Sequence, residues 1–299
     1  MGRKMRDRIK YSQNFLADPE LVKALINKSS ITTNDIVYEI GAGEGIITKQ
    51  LLLKAKKVIA FELDRNFFGI LDRKFEGKIS VELKLADFLN SALPNYPYKV
   101  FSNIPFNITS AIIKKLTLES YPPEDAYLII QKEAAMKFAG KPLDNKNSQL
   151  SVILNPWFEF TIKHRFKPDD FNPRPNVDIV LLEIKKRSEP LVEDKNRYED
   201  FVTYAFNQTK PNIVEGLSKI IAKQHVVNLT KTVGFTLDSK PSELDFKDWV
   251  SLFNLFLTMT DQQQIIVKGS FAKQLKQQEN IERVHRTRTD ESWKKYEHQ

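Results

Sequence analysis

Between residues 36 and 130 the chain repeats one rhythm, a short apolar run followed by a longer amphipathic stretch. The apolar runs Ile36–Ile40, Lys57–Leu63, Ile79–Leu85, Tyr98–Ser102 and Ala126–Ile130 have the length of strands. The stretches Ile46–Ala55, Arg65–Phe75 and Ile108–Leu118 between them have the length of helices. Strands alternating with helices predict an α/β fold, a mostly parallel sheet with helices on both faces. A further helix over 19–28 precedes them, with Asp18 as N-cap and Pro19 at its first position. Two later runs, Ser151–Phe160 and Val177–Ile184, are expected to complete the sheet edge as a hairpin. The linker between them, 166–175, holds three prolines and predicts an extended, stiff loop.

After Lys185-Lys186-Arg187 the pattern becomes helical only. Tyr198, Phe201, Val202, Ala205 and Phe206 fall on one helical face, as do Trp249, Leu252, Phe253 and Phe256. The expected organisation is an α/β domain over 1–184, a small all-helical domain over 185–260 and a polar tail over 261–299. That tail, rich in Gln, Lys and Arg, reads as a fraying helix or a disordered segment. No internal repeat is visible.

The net charge of +8 favours a polyanionic partner. Its distribution sharpens the point. Residues 1–10 carry Arg3, Lys4, Arg6, Arg8 and Lys10 against one acid, Asp7, a composition suited to an arm that settles on phosphates. Lys132, Lys137, Lys163, Arg165, Lys167 and Arg174 are further candidates for phosphate contacts. With no cysteine in the chain, disulfides and thiolate metal sites are excluded, and a reducing cytoplasm is compatible. The four histidines show no metal-ligand spacing, so no metal site is expected. No apolar run approaches the ~18–20 residues that span a bilayer, and no apolar segment follows the basic start, so neither a membrane span nor a secretory signal is expected.

Glu39-Ile40-Gly41-Ala42-Gly43-Glu44-Gly45 follows a strand and opens a helix. Glycines there permit positive φ and close approach of a ligand. The spacing is tighter than the G-x-G-x-x-G of dinucleotide-binding units, which disfavours a nicotinamide dehydrogenase and suits a ligand without pyrophosphate, S-adenosylmethionine. Glu62, at the next strand end and about 20 residues on, is placed to accept from two ribose hydroxyls; neighbouring Asp64 suits a helix cap better. Asp87 ends the third strand and could accept from the cofactor's adenine amine, with Phe88 stacking beside the ring. Tyr11-Ser12-Gln13-Asn14-Phe15-Leu16, before the first helix, could close over the cofactor, with Phe15 as its anchor.

Asn103-Ile104-Pro105-Phe106 ends the fourth strand. Pro105 fixes φ and stiffens the loop. The Asn103 side-chain oxygen and the Ile104 carbonyl can accept both protons of an adenine amine and favour its pyramidal, nucleophilic form. Phe106 can stack on a base drawn out of its helix. The chemistry expected is methyl transfer to adenine, by alignment and electrostatics and without a general base or metal.

At these residues the chain resembles the rRNA adenine N6-methyltransferases: Gln13 to Leu16, Glu39 to Gly45, Glu62, Asp87, Asn103 to Phe106, and Phe171-Asn172-Pro173-Arg174-Pro175-Asn176-Val177. The likeness runs from about residue 9 to 260. Within that superfamily, 102–109 and Trp249 to Leu255 resemble the Erm type, which methylates an adenine of 23S rRNA and confers macrolide–lincosamide–streptogramin B resistance. The resemblance implies a Rossmann-like S-adenosylmethionine-dependent methyltransferase domain on a mostly parallel seven-stranded sheet, with a small all-helical, RNA-associated C-terminal domain. It also implies cofactor contacts at Asn14, Leu16, Gly41, Glu62, Asp87 and Asn103. Phe106 departs from the tyrosine of many members, keeping the stacking face and losing a hydroxyl. The expected partner is ribosomal RNA, 23S ahead of 16S, bound by a cytoplasmic monomer. The alternatives are a KsgA-like dimethylase of small-subunit rRNA and a noncatalytic RNA-binding relative; complete Asn103–Phe106 and Glu62 motifs argue against the latter.

Overall fold

A computed structural model describes residues 14–140 and 147–279. The arm 1–10, residues 11–13 of the Tyr11–Leu16 segment and the tail from 280 lie outside them. Five strands run parallel in the middle of the fold: β2 (Ile36–Ile40), β3 (Lys57–Glu62), β4 (Val81–Leu85), β5 (Lys99–Asn103) and β6 (Asp125–Gln131). β9 (Ile179–Lys186) pairs antiparallel with β6, and β7 (Phe158–Arg165) pairs antiparallel with β9, giving a seven-stranded sheet ordered β4-β3-β2-β5-β6-β9-β7. The apolar runs are near-continuous because both faces are covered. Successive residues of one strand enter opposite cores: Val58 and Ala60 pack on one side, Ile59 and Phe61 on the other.

The connecting helices are α1 (Pro19–Asn27), α2 (Ile46–Leu51), α3 (Arg65–Lys74), α4 (Thr109–Leu118), α5 (Lys132–Ala139) and α6 (Gln149–Leu154). Asp18 caps α1 through Glu20 N at 2.8 Å, and Asp64 caps α3 through Asn66 N at 2.7 Å, as their side chains and positions dictate. The edge hairpin is present with a different start. Residues 149–154 are helix, not strand, because Ser148 caps the Ser151 amide at 3.1 Å and the run Val152-Ile153-Leu154 is buried as one helical turn. The proline-bearing linker is not simply extended. It makes a short turn at Pro168–Asp170 and then a two-residue strand, β8 (Phe171–Asn172), antiparallel to β1 (Phe15–Leu16).

The helices beyond the sheet are α7 (Lys195–Phe206), α8 (Ile213–Leu217), α9 (Lys223–Leu229), α10 (Phe246–Leu257), α11 (Asp261–Val267) and α12 (Ser270–Glu279). Tyr198, Phe201, Val202 and Ala205 are buried against Trp249, Leu252, Phe253 and Phe256, while Phe206 stacks on Trp249 with centroids 5.4 Å apart. This helical core is continuous with one face of the sheet. The polar tail is therefore ordered helix as far as residue 279. Its apolar positions Val267, Phe271 and Leu275 recur every four residues; Val267 and Phe271 join this core, and Leu275 lines the groove beside α4. Among the described residues no helix is long and apolar enough to cross a membrane.

Candidate active site

The chain leaves β2 toward β3 and β4 on one side and returns to β5 on the other, so a crevice opens beyond the strand ends between β2 and β5. The glycine turn and the Asn103 loop meet there. A Cβ on Gly41 would lie 3.8 Å from Pro105 Cδ and 4.0 Å from the Asn103 carbonyl oxygen. Gly41 and Ala42 both donate to the Phe61 carbonyl, at 2.9 and 3.0 Å, which folds the turn back over β3. Gly45 stands at φ +78°, and a Cβ there would meet Leu71 and Phe75 at under 3 Å, so only glycine lets α2 start this close to α3.

Glu62 is buried, and its carboxylate accepts three backbone N–H groups: Gly43 at 2.8 Å, and Leu63 and Asp64 at 2.8 Å each. It is thus a brace between the glycine turn and the following loop. A carboxylate has about four acceptor positions, so accepting from two hydroxyls requires one backbone N–H to share its oxygen. Asp87 caps the turn Phe88–Asn90, accepting Leu89 N at 2.8 Å and Asn90 Nδ2 at 3.0 Å. Phe88 does not flank the crevice. It is buried edge-on against Phe61 with centroids 5.2 Å apart, because the turn rolls its ring into the core. The apolar face left at this end belongs to Leu63, which is 54% exposed beside Glu62. Its only mark in the sequence is a lone apolar residue between Glu62 and the helix cap Asp64.

Asn103 is half-buried at the end of β5, and its Nδ2 donates to the Asn14 carbonyl at 2.8 Å. Ser102, one residue earlier, accepts Ile40 N at 2.7 Å through Oγ and ties β5 to β2. Ile104 is buried, and Pro105 and Phe106 are half-buried. With Asn14, Phe15 and Gly41 they enclose a cavity of about 20 Å³. Phe15 lies over Gly43, 2.9 Å from the position of a Cβ there, and tilts against Phe67. Leu16 is buried in the core, so only its backbone is available to a ligand. Glu39, wholly buried beneath the turn, accepts the Thr48 hydroxyl at 2.5 Å; burial pushes its carboxyl up to about 8. Asn14, Gly41 and Asn103 to Phe106 thus line one cavity, Glu62 is tied to its glycine turn through Gly43, and Asp87 stands past the end of β4, two strands from β2.

The basic candidates are mostly neutralised. Lys132 pairs with Asp178 at 2.9 Å, Lys137 with Glu133 at 3.3 Å, Lys163 with Glu183 at 3.3 Å and Arg174 with Asp169 at 2.5 Å. Among the described residues Arg165 and Lys167 make no ion pair.

Comparison with known proteins adds independent observations. The model of the ribosomal RNA adenine dimethylase family matches residues 4–257. An rRNA adenine N-6-methyltransferase of Bacteroides fragilis is 31% identical over 245 residues, 81% of this chain and 90% of that protein. A ribosomal RNA small subunit methyltransferase A of Mycoplasmopsis pulmonis is 27% identical over 250 residues, 83% of this chain and 98% of that protein. Among solved structures, the 23S rRNA methyltransferase ErmE superposes with a TM-score of 0.75 at 29% identity, covering 82% of this chain and 100% of its own. A dimethyladenosine transferase from Plasmodium falciparum shares the fold, with a TM-score of 0.64 at 23% identity over 82% of this chain and 99% of its own.

Proposed function

The chain belongs to the ribosomal RNA adenine dimethylase family, and from that premise we propose that its target is an adenine of 23S rRNA, methylated at N6 to give macrolide–lincosamide–streptogramin B resistance. The enzyme is an S-adenosylmethionine-dependent rRNA adenine N6-methyltransferase. The observation that carries the reading is the convergence of the Asn103–Phe106 loop and the glycine turn, whose Gly41 lines the same small cavity.

The crevice fits the cofactor in its chemistry. Acids stand at the strand ends, Gly41 borders the cavity at Asn103 without a side chain, and Leu63 offers an exposed apolar face. Asn14, Gly41 and the backbone of Leu16 would hold its amino-acid end, Glu62 its ribose and Asp87 its adenine amine. Bound there, the cofactor supplies an electrophilic methyl group. Asn103 Oδ1 and the Ile104 carbonyl accept the two amine protons of the target adenine and aim its lone pair into the crevice. Pro105 holds those acceptors rigid, so little reorganisation accompanies the developing charge. Phe106 stacks on the extruded base.

The likeness to ErmE over that protein's whole length supports the 23S target. A second reading, dimethylation of small-subunit rRNA, is favoured by the relative named for that substrate, aligned over nearly its full length. Incubation with radiolabelled cofactor and unmodified 23S or 16S rRNA, followed by mapping, separates them. Label on one 23S adenine, with a raised macrolide inhibitory concentration in a susceptible host, is the expected result. Label confined to 16S would replace it with the second reading.

A further inference from the structure

Helix α12 lies beyond residue 257, where the family match ends, yet it is anchored beside the candidate active site. Asp200 of α7 caps its start, Oδ2 accepting Gly269 N at 2.7 Å and Oδ1 accepting Phe271 N at 3.0 Å. The amides of Gln274 and Gln149 bond reciprocally at 2.9 and 3.0 Å, and Asn207 Nδ2 adds a bond to Gln274 Oε1 at 3.2 Å. Near its end, Gln278 Oε1 accepts from Lys114 Nζ of α4 at 3.3 Å. The helix is thereby fixed to α4, α6 and α7 together.

So placed, α12 forms one wall of a groove of about 580 Å³ whose opposite wall is Phe106, Asn107, Thr109 and Ser110. Phe106 also borders the small cavity at Asn103, so the groove runs on from the place where the target base would stack. Two features mark it as a binding site rather than a packing gap. Thr109, on that wall, is buried, and its Oγ1 has no hydrogen-bond partner among the described residues. Lys114, also on the groove, pairs with no carboxylate among the described residues. The volume suits a single small ligand. The lining joins apolar side chains such as Phe106, Phe138 and Leu275 to amides, hydroxyls and two lysines, of which, among the described residues, Lys137 is paired with Glu133 and Lys114 with no carboxylate. An apolar face for a base beside polar groups for its edge, 2′-hydroxyl and phosphate matches a nucleotide of single-stranded RNA.

Resting on the rRNA methylation reading, we propose that α12 builds a subsite for the nucleotide adjoining the target adenine. Lys114 meets its phosphate there, and Gln278, whose Nε2 donates to no group among the described residues, reads its base. Gln274 is a positioning residue, since its amide is already committed to Gln149 and Asn207. The subsite makes the segment after residue 260 a specificity element of the enzyme.

The test compares full-length wild type with Gln278→Glu and Gln278→Ala, using RNA hairpins that carry the target adenine and each of the four neighbouring bases. Gln278→Glu places a carboxylate against Lys114 and is expected to raise KM for RNA about tenfold, with KM for S-adenosylmethionine and Tm unchanged. Gln278→Ala is expected to level the kcat/KM ranking among the four hairpins. Fluorescence anisotropy without cofactor should show the same tenfold loss of RNA affinity in Gln278→Glu. Active wild type with variants matching it in RNA KM, anisotropy and hairpin ranking would overturn the subsite alone. Wild type that labels no rRNA would overturn the subsite together with the function beneath it.

Discussion

The side-chain amide of Asn103 donates to the backbone carbonyl of Asn14 at 2.8 Å, so the residue that closes β5 is tied to the segment covering it. A carbonyl oxygen only accepts, which fixes the orientation of the amide: Nδ2 faces Asn14 and Oδ1 faces away. One interaction therefore holds the cover in place and presents the acceptor that an adenine amine requires.

Asn103→Ala removes both functions. Methyl transfer is expected to fall at least a hundredfold in kcat, because no other side chain of the loop replaces Oδ1. The lost bond to Asn14 costs about 1 kcal/mol, so the variant stays folded. Single-turnover kinetics and a thermal melt check the two together; turnover within tenfold of wild type would remove Asn103 from its assigned role.

Glu62 and Asp87 are expected to separate in their effects, although both are strand-end acids. Glu62→Ala leaves three backbone N–H groups without their acceptor, that of Gly43 buried and those of Leu63 and Asp64 part-buried, and should lower stability by about 2–4 kcal/mol as well as weaken cofactor binding. Asp87→Ala removes the cap of one short turn, costing about 1 kcal/mol, with the main loss in cofactor affinity. Calorimetry with S-adenosylmethionine alongside denaturant melts distinguishes them. Equal stability in the two variants would contradict the brace.

The difference between those acids marks how far the sequence could be read. The alternation of strands and helices and the caps at Asp18 and Asp64 follow from apolar runs and local chemistry, whereas the strand order and the bond from Gly43 to Glu62 come from the tertiary fold. The inward course of Phe88 leaves no trace in the sequence, because a turn's roll decides which side of the sheet a ring enters and one apolar letter is silent on that. The run at 151–154 reads as strand because a short apolar stretch fits either period, and the Ser148 cap that makes it helix depends on the preceding loop. The pairing of Phe15–Leu16 with Phe171–Asn172 joins segments more than 150 residues apart and leaves no periodic trace. For α12 the missing signal is a tertiary cap, Asp200, supplied by another helix.

Gly43 tests the contact between the cover and the turn. It stands at φ +56°, and a Cβ would lie 2.9 Å from Phe15 Cε1. Gly43→Ala is expected to cost about 1–2 kcal/mol in backbone strain and to displace the Phe15 ring, raising the cofactor KM severalfold. Phe15→Leu in the same chain relieves the contact and not the φ. The double variant should therefore recover KM while its Tm stays low, and a double variant that recovers neither would place the damage elsewhere in the turn.

Glu39 gives the fold a pH dependence of known sign. Burial raises its carboxyl from an ordinary 4.5 to about 8, so between those values the folded protein keeps a proton that the unfolded chain has released. Stability from this group is complete below 4.5 and is lost as pH rises through 8. Glu39→Gln stays neutral throughout and retains an oxygen to accept the Thr48 hydroxyl. The two melting temperatures should lie close together near pH 4.5, with the variant pulling ahead by roughly 5 °C or more by pH 8. A gap that stays constant across that range would mean that the acid beneath the glycine turn is ionised in the folded protein.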